Sequence, residues 1–411
     1  MRVACRPFIR SAFVRTYRLF CAKKGLFRMS DVTLVEKYMP ELLRLLEESV
    51  NMDSPSRNKA LCDRMADWYE IQFRRLTGGT VTRVPHEVAG DRLLCEWGDG
   101  SRRILLLGHY DTVWPEGEAA RRPYSLAGDR ALGPGVYDMK LGLLQAMFAL
   151  KLLGDEGRGP AKDVTVVLLI NSDEEISSPS SRGLIEQTAR VCEAVFVLEP
   201  PMEPDGALKT GRKGSGRYKL IVEGIAAHAG VDPSKGVSAI EELAHQIQHL
   251  HGLTDYAIGT TVNVGVVHGG IGTNVVADRA EAELDVRVKT AAEAERMHAL
   301  IAGLRPHLPG ARLRVEGRMM RPPMERTDAI ARLYGIARRI AADELGFELG
   351  ETATGGVSDG NFTAACGVPT LDGLGARGDF AHSPDEFVRL DEIAPRTALL
   401  ARLIETVSAG E

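Results

Sequence analysis

Arg103-Ile104-Leu105-Leu106-Leu107-Gly108-His109-Tyr110-Asp111 (RILLLGHYD, residues 103–111) is the stretch from which the rest of the chain can be read. Four consecutive branched apolar residues without alternation predict a strand buried on both faces, which requires helices above and below the sheet. The run stops at Gly108, and His109 and Asp111 follow directly. The same grammar recurs downstream. Residues 164–170 (VTVVLLI) lead into Ser172-Asp173-Glu174-Glu175, and residues 194–198 (AVFVL) lead into Glu199-Pro200-Pro201. Helical spacing fills the intervals at about 141–153 and 181–190. Upstream, helices are expected over 32–50 and from the Ser54-Pro55-Ser56 break to about residue 76, the second capped by Ser56 or Asn58. Short extended runs sit at 80–84 and 93–97. Strands alternating with helices predict an α/β layer around a mixed sheet flanked by helices.

The texture changes near Gly211. From Arg217 the order is strand (RYKLIVEG), helix (about 238–251), strand (TTVNVGVV), strand (EAELDVRV), helix (about 292–304) and strand (RLRVEG). That is βαββαβ, the ferredoxin-like pattern. After Pro322-Pro323 the first texture resumes. The expected organisation is therefore a discontinuous large domain, 31–212 with 322–411, carrying an inserted domain over 213–321.

Bulk properties narrow the function. The chain has 411 residues, 44% hydrophobic and 26% charged, with a net charge of -5. This describes a globular protein with more than one core. Nothing supplies the basic face a nucleic-acid partner needs, and no apolar run is long enough for a bilayer. The six cysteines are scattered without a CxxC pair, which fits a reducing compartment and a cytoplasmic location. Cys62, Cys95, Cys192 and Cys366 read as small core residues. Residues 1–30 hold eight basic side chains and no acidic one. They are transit-peptide-like but poor in serine, and read more simply as an over-extended start ahead of Met29.

Chemistry concentrates at the ends of the elements. Residues two apart on an extended chain face the same way, so His109 can ligate a metal while Asp111 accepts its other ring N–H. Asp138 follows the glycine turn of GPGVYDMK (133–140), where a helix cap is the plain alternative. Glu174 and Glu175 end the second apolar strand, where the alternative is a solvated acidic turn. Glu199 ends the third. His382 lies in GDFAHSPDE (378–386). Open α/β sheets bind ligands at this edge. Carboxylates with neutral imidazole suit zinc, with cobalt or manganese as substitutes. Five ligands exceed one tetrahedral site, and two metals sharing a bridging carboxylate account for them.

With GHYDTVWP, GPGVYDMK, SDEE, LEP and AHSPDE in this order, the chain resembles the M20 metallopeptidases, and within them the glutamate carboxypeptidase (carboxypeptidase G2-like) branch, from about residue 30 to the end. The resemblance implies two zinc ions per subunit. Asp138 would bridge them, His109 and Glu199 would hold one, and Glu175 and His382 the other. It makes Glu174 the general base and Asp111 the residue that orients His109. The split of the glutamate pair fits an extended segment, where neighbours point apart. The inserted domain resembles the family's lid and dimerisation domain, implying a homodimer. There His228 (GIAAHAG) would reach a partner subunit's active site and stabilise the oxyanion, and Asn274 (GGIGTNVVAD) belongs to the same region. Arg287 (LDVRV) and Arg321 (GRMMRPP) are candidate clamps for a substrate carboxylate, because guanidinium grips carboxylate bidentately. Leu141 departs from the glycine many members carry after DxK, with no loss of metal expected. The implied reaction is hydrolysis of the amide bond before a C-terminal amino acid in a small peptide. An N-acyl amino acid deacylase is the alternative, and a single-metal enzyme or a catalytically silent binding homologue stand further off.

Overall fold

The computed structural model describes residues 30–410; the readings made for residues 1–29 lie outside the described residues. Eight strands form the large sheet, in the order Thr80–Val84, Arg92–Trp97, Val164–Asn171, Arg102–His109, Ala194–Val197, Thr370–Asp372, Leu208–Arg212 and Glu351–Thr354. The four central strands are mutually parallel, while Arg92–Trp97 and Leu208–Arg212 join them antiparallel. Alternate residues of the apolar runs go to opposite faces. Ile104, Leu106, Val166, Leu168 and Phe196 enter a core shared with helices Asp31–Val50, Lys59–Thr77, Leu141–Asp155 and Leu390–Ser408. Leu105, Leu107, Val167, Leu169 and Val195 face a second core with Arg182–Ala189 and Gly360–Ala365. Both faces are covered, which is why these strands carry no polar alternation.

The insertion makes its own four-stranded antiparallel sheet, in the order Thr261–Gly269, Arg279–Val288, Gly214–Glu223 and Arg312–Arg321. Tyr218, Leu220, Val222 and Ala280, Ala282, Leu284 alternate onto one face and pack, in a separate core, against helices Ala239–His251 and Ala291–Ala302. This is the ferredoxin-like arrangement. The chain crosses between units at residues 212–214 and 321–324, where Arg212 and Met324 exchange two backbone hydrogen bonds of 3.0 Å.

Several local expectations need correction. The strand expected to stop at Gly108 includes His109 as its last residue, and the insertion's first strand starts at Gly214 instead of Arg217. Asn58, not Ser56, caps the second helix, accepting from the Leu61 N–H at 3.2 Å. Leu208–Arg212 and Glu351–Thr354 were not foreseen as sheet strands, since neither has an apolar run. A small sheet of Ser125–Ala127, Arg130–Leu132, Gly378–Asp379 and Phe387–Arg389 was likewise missed, its strands being too short for a period. Cys62, Cys95 and Cys192 are buried and Cys366 half-buried, all as free thiols. No helix among the described residues is long and apolar enough to cross a membrane.

Candidate metal centre

His109 leaves the parallel edge of the large sheet with its ring almost fully buried. Its Nδ1 lies 3.0 Å from the Asp111 carbonyl and 3.3 Å from Asp111 Oδ1. Those acceptors hold the proton on Nδ1, so Nε2 is the nitrogen whose lone pair a metal would take. Nε2 faces Asp138 Oδ1 at 3.3 Å and Glu199 Oε1 at 3.6 Å. On the other side of Asp138, Oδ2 lies 3.3 Å from His382 Nε2, which in turn is 3.1 Å from Glu175 Oε2. Asp138 therefore stands between two histidines, one carboxylate oxygen toward each. All five sequence-derived ligand candidates converge, from separate elements.

Asp138 is not a helix cap. It sits in a turn, Val136–Lys140, whose backbone is non-helical at Asp138 and Met139. Gly135 makes the approach possible: its φ is +73°, and a Cβ there would lie 2.7 Å from Thr112 Cγ2. A residue with a side chain would be strained at that φ and crowded at that distance. Glu386 then holds the turn. One oxygen accepts from the Tyr137 and Asp138 N–H groups at 2.9 and 3.1 Å, the other from Gly135 N–H at 3.0 Å and the Trp114 indole at 3.3 Å. His382 holds a positive φ of 63°, a conformation that histidine tolerates better than most residues.

The glutamate pair lies on a short 3₁₀ turn, Glu174–Ile176, rather than on extended chain. The two side chains still diverge. Glu175 turns to His382, whereas Glu174 Oε1 meets Arg321 Nη2 at 2.8 Å. Asp111 fastens this turn to the histidine it orients: its carboxylate accepts from both glutamate N–H groups at 3.2 Å and from the Ser56 hydroxyl at 2.6 Å. Asp173 stays apart, accepting from Ser180 N–H.

The donor set fits a cation. His109 Nε2, Asp138 Oδ1 and Glu175 Oε1 are buried without a hydrogen-bond partner among the described residues. Ligand atoms of His109, Asp138 and Glu175 lie within 4.8 Å of one another, as do those of His109, Glu174 and Glu199. Acceptors packed against acceptors need a positive charge between them. Electrostatics gives the same sign. Burial pulls His109 down, but Asp111, Asp138 and Glu199 outweigh it and hold the imidazole well above its usual range. Hydrogen bonds to Asp138 and Glu175 carry His382 up to about 11. Burial lifts Glu175 to about 7 against the pull of His382, and lifts Glu174 well above the carboxylate range with Arg321 opposing. Without metal, protons are drawn to the place where a cation belongs.

The remaining candidates stand outside the five ligand candidates. Arg321 is 1% exposed and is engaged by Glu174 and Asp359 at 2.8 and 2.7 Å. Both terminal nitrogens donate to groups of this chain. Arg287 is likewise occupied, by Asp285 at 2.8 Å and the Gly355 carbonyl. His228 and Asn274 sit together on exposed loops of the insertion, linked by the Ala229 N–H to Asn274 carbonyl bond of 2.9 Å. His228 Nδ1 accepts from Gly230 and Val231 N–H at 3.1 and 3.2 Å, so its Nε2 carries the proton and is a donor. Neither residue has a hydrogen bond or ion pair to the cluster within this chain.

The sequence profile of the peptidase family M20/M25/M40 matches residues 105–406, which span all five ligand candidates. The chain belongs to this family. Among relatives of this M20 chain, carboxypeptidase G2 of Pseudomonas sp. (strain RS-16) is 31% identical over 90% of each chain. Acetylornithine deacetylase of Proteus mirabilis (strain HI4320) is 26% identical over 92% of this chain and 98% of its own. Among solved structures, aminopeptidase PepT from Bacillus cereus superposes with a TM-score of 0.73 at 24% identity, covering 90% of this chain and 98% of that one. As an M20 member the protein is a hydrolase of peptide or related amide bonds.

Reading residues singly missed Glu386, Asp359 and Ser56, whose work is to position the site residues. Glu386 was within reach, because it stands in the AHSPDE motif four residues after His382. Asp359 and Ser56 carry no local signal.

Proposed function

We propose that the protein is a zinc-dependent carboxypeptidase that hydrolyses the amide bond before a C-terminal amino acid, of glutamate type or similar. The observation that carries this reading is Asp138 standing between His109 and His382, each backed by one further carboxylate, with Glu174 left outside the ligand pairs. His109 and Glu199 would hold one zinc, Glu175 and His382 the other, and Asp138 both. Bound zinc supplies Lewis acidity and lowers the pKa of water toward neutrality. The chain supplies the rest. Glu174, paired with Arg321 at 2.8 Å and left outside the ligand pairs, accepts the proton of the attacking water and delivers it to the leaving nitrogen. Asp111 keeps His109 in its ligating tautomer. His228 offers its Nε2–H to the developing oxyanion, across a homodimer formed through the insertion. The free thiols fit a cytoplasmic protein.

The test is Glu174→Gln. It should keep two zinc equivalents by metal analysis and lose at least about a thousandfold in kcat. A variant that holds both metals and still turns over removes Glu174 from the chemistry. The acetylornithine deacetylase relative, matched over nearly its full length, supports a second reading as an N-acyl amino acid deacylase acting through the same residues. Parallel assays of acetylated amino acids and of peptides ending in glutamate decide between them.

A further inference from the structure

Arg321 is the last residue of the insertion's final strand, where the chain returns to the large unit. Nη1 donates to Asp359 Oδ1 at 2.7 Å. Nη2 reaches Glu174 Oε1 at 2.8 Å, the Glu174 carbonyl at 3.2 Å and Ser178 Oγ at 3.2 Å. The guanidinium also lies over the Phe362 ring, 4.8 Å from its centre. Its partner Asp359 is itself held, by Asn171 Nδ2 at 2.6 Å and by the Ser178 hydroxyl. Two residues on, Asn361 Nδ2 donates to the carbonyls of Lys213 at 3.1 Å and Pro322 at 2.7 Å. One amide thus pins both segments that cross between the units. The short stretch 358–361 grips the crossing and, through Asp359, the arginine that grips Glu174.

A buried ion pair of this kind is poor evidence for stability, because desolvation offsets much of its attraction. What a planar fork provides is direction: it fixes the carboxylates it holds in one geometry. One of these carboxylates is the glutamate left outside the ligand pairs.

We propose that Arg321 is a positioning residue for Glu174: it aims the carboxylate and makes that aim depend on the seating of the insertion, through Asp359 and the Asn361 clamp. This rests on the reading of Glu174 as the base, and it differs from a substrate-carboxylate clamp in what it predicts. A misplaced base costs on the order of a hundredfold in turnover and leaves ground-state binding alone, whereas loss of a clamp raises KM.

The experiment compares Arg321→Met and Arg321→Lys in the full chain loaded with zinc, measuring metal content, kcat, KM and competitive inhibition by the free product amino acid. The proposal expects two zinc equivalents, kcat reduced about a hundredfold in Arg321→Met, and KM and product inhibition within about threefold of wild type. Arg321→Lys, a point charge without the fork, should recover part of the loss. Unchanged kcat with tenfold weaker product inhibition overturns the proposal in favour of a clamp; loss of zinc from Arg321→Met overturns it in favour of a structural role. If Arg321→Met does not fold, Arg321→Lys decides alone: reduced kcat at unchanged KM supports the proposal, and wild-type kcat overturns it. Glu174→Gln run alongside separates the two claims. Turnover in that variant sinks the base assignment, while an inactive Glu174→Gln beside a fully active Arg321→Met sinks only the present inference.

Discussion

Replacing Glu386 by glutamine tests how the chain holds Asp138 between its two histidines. Glu386 is 1% exposed, and its two oxygens accept four donors: Tyr137 and Asp138 N–H on one, Gly135 N–H and the Trp114 indole on the other. Glutamine keeps the shape but turns one oxygen into an N–H₂ group. Whichever way the amide faces, two donors then point at a donor. Each buried donor left unsatisfied costs about 1–3 kcal/mol, so the variant should lose about 2–6 kcal/mol, less whatever the turn recovers by relaxing toward water. At about 2–4 °C per kcal/mol for a unit of a few hundred residues, the melting temperature of the metal-free protein should fall by about 4–24 °C, the lower part of that range if the turn relaxes. Part of the loss should appear as loosening of the turn that carries Asp138, and so as roughly ten- to hundredfold weaker metal binding, the scale seen for residues that orient ligands. Differential scanning calorimetry and a competition titration with a chromogenic chelator measure the two quantities. A glutamine variant that melts within 1–2 °C of wild type (about the effect of 0.5 kcal/mol) and binds metal equally well would refute the argument that this carboxylate organises the turn.

Asp111→Ala should weaken metal binding about ten- to hundredfold and also disorder the Glu174–Ile176 turn, because Asp111 accepts from both glutamate N–H groups; chelator competition with hydrogen exchange at residues 174–176 reports both. Metal binding should release protons. Glu175 and His382 are lifted to about 7 and about 11 in the metal-free protein, so affinity should rise with pH, steepest below about 7 where both must deprotonate, and a pH-stat titration that finds no proton release counts against these assignments. The sign for stability is opposite. His382, raised above its unfolded value of about 6.5, stabilises the metal-free fold fully below that pH and progressively less toward pH 11. The raised Glu175 works in the same direction between about 4.5 and 7. Melting of the metal-free protein should therefore fall with rising pH, while the increment from added zinc grows.

Much of this molecule is legible from local pattern. The apolar runs at 104–107, 166–170 and 194–198 require a sheet covered on both faces, and the βαββαβ order over the insertion requires a second sheet with its own core. Histidine and carboxylate side chains at the exits of those runs mark the candidate site, because the carboxyl edge of a parallel sheet is where such groups can meet. Periodicity and element order are short-range properties, so they survive in one dimension.

Partner choice does not. That Asp138 lies between the histidines, that Glu386 gathers the turn's N–H groups, and that Arg321 is spent on Glu174 and Asp359 are facts about which groups face each other after distant segments pack. The glutamate pair shows the difference most clearly. Its divergence was expected from an extended backbone, yet a 3₁₀ turn produces it, with Arg321 drawing one carboxylate and His382 the other. A charged side chain settles where its counter-ion is. For Glu174 that counter-ion comes from a residue far along the chain, at the end of the inserted sheet, and only the tertiary structure puts it there.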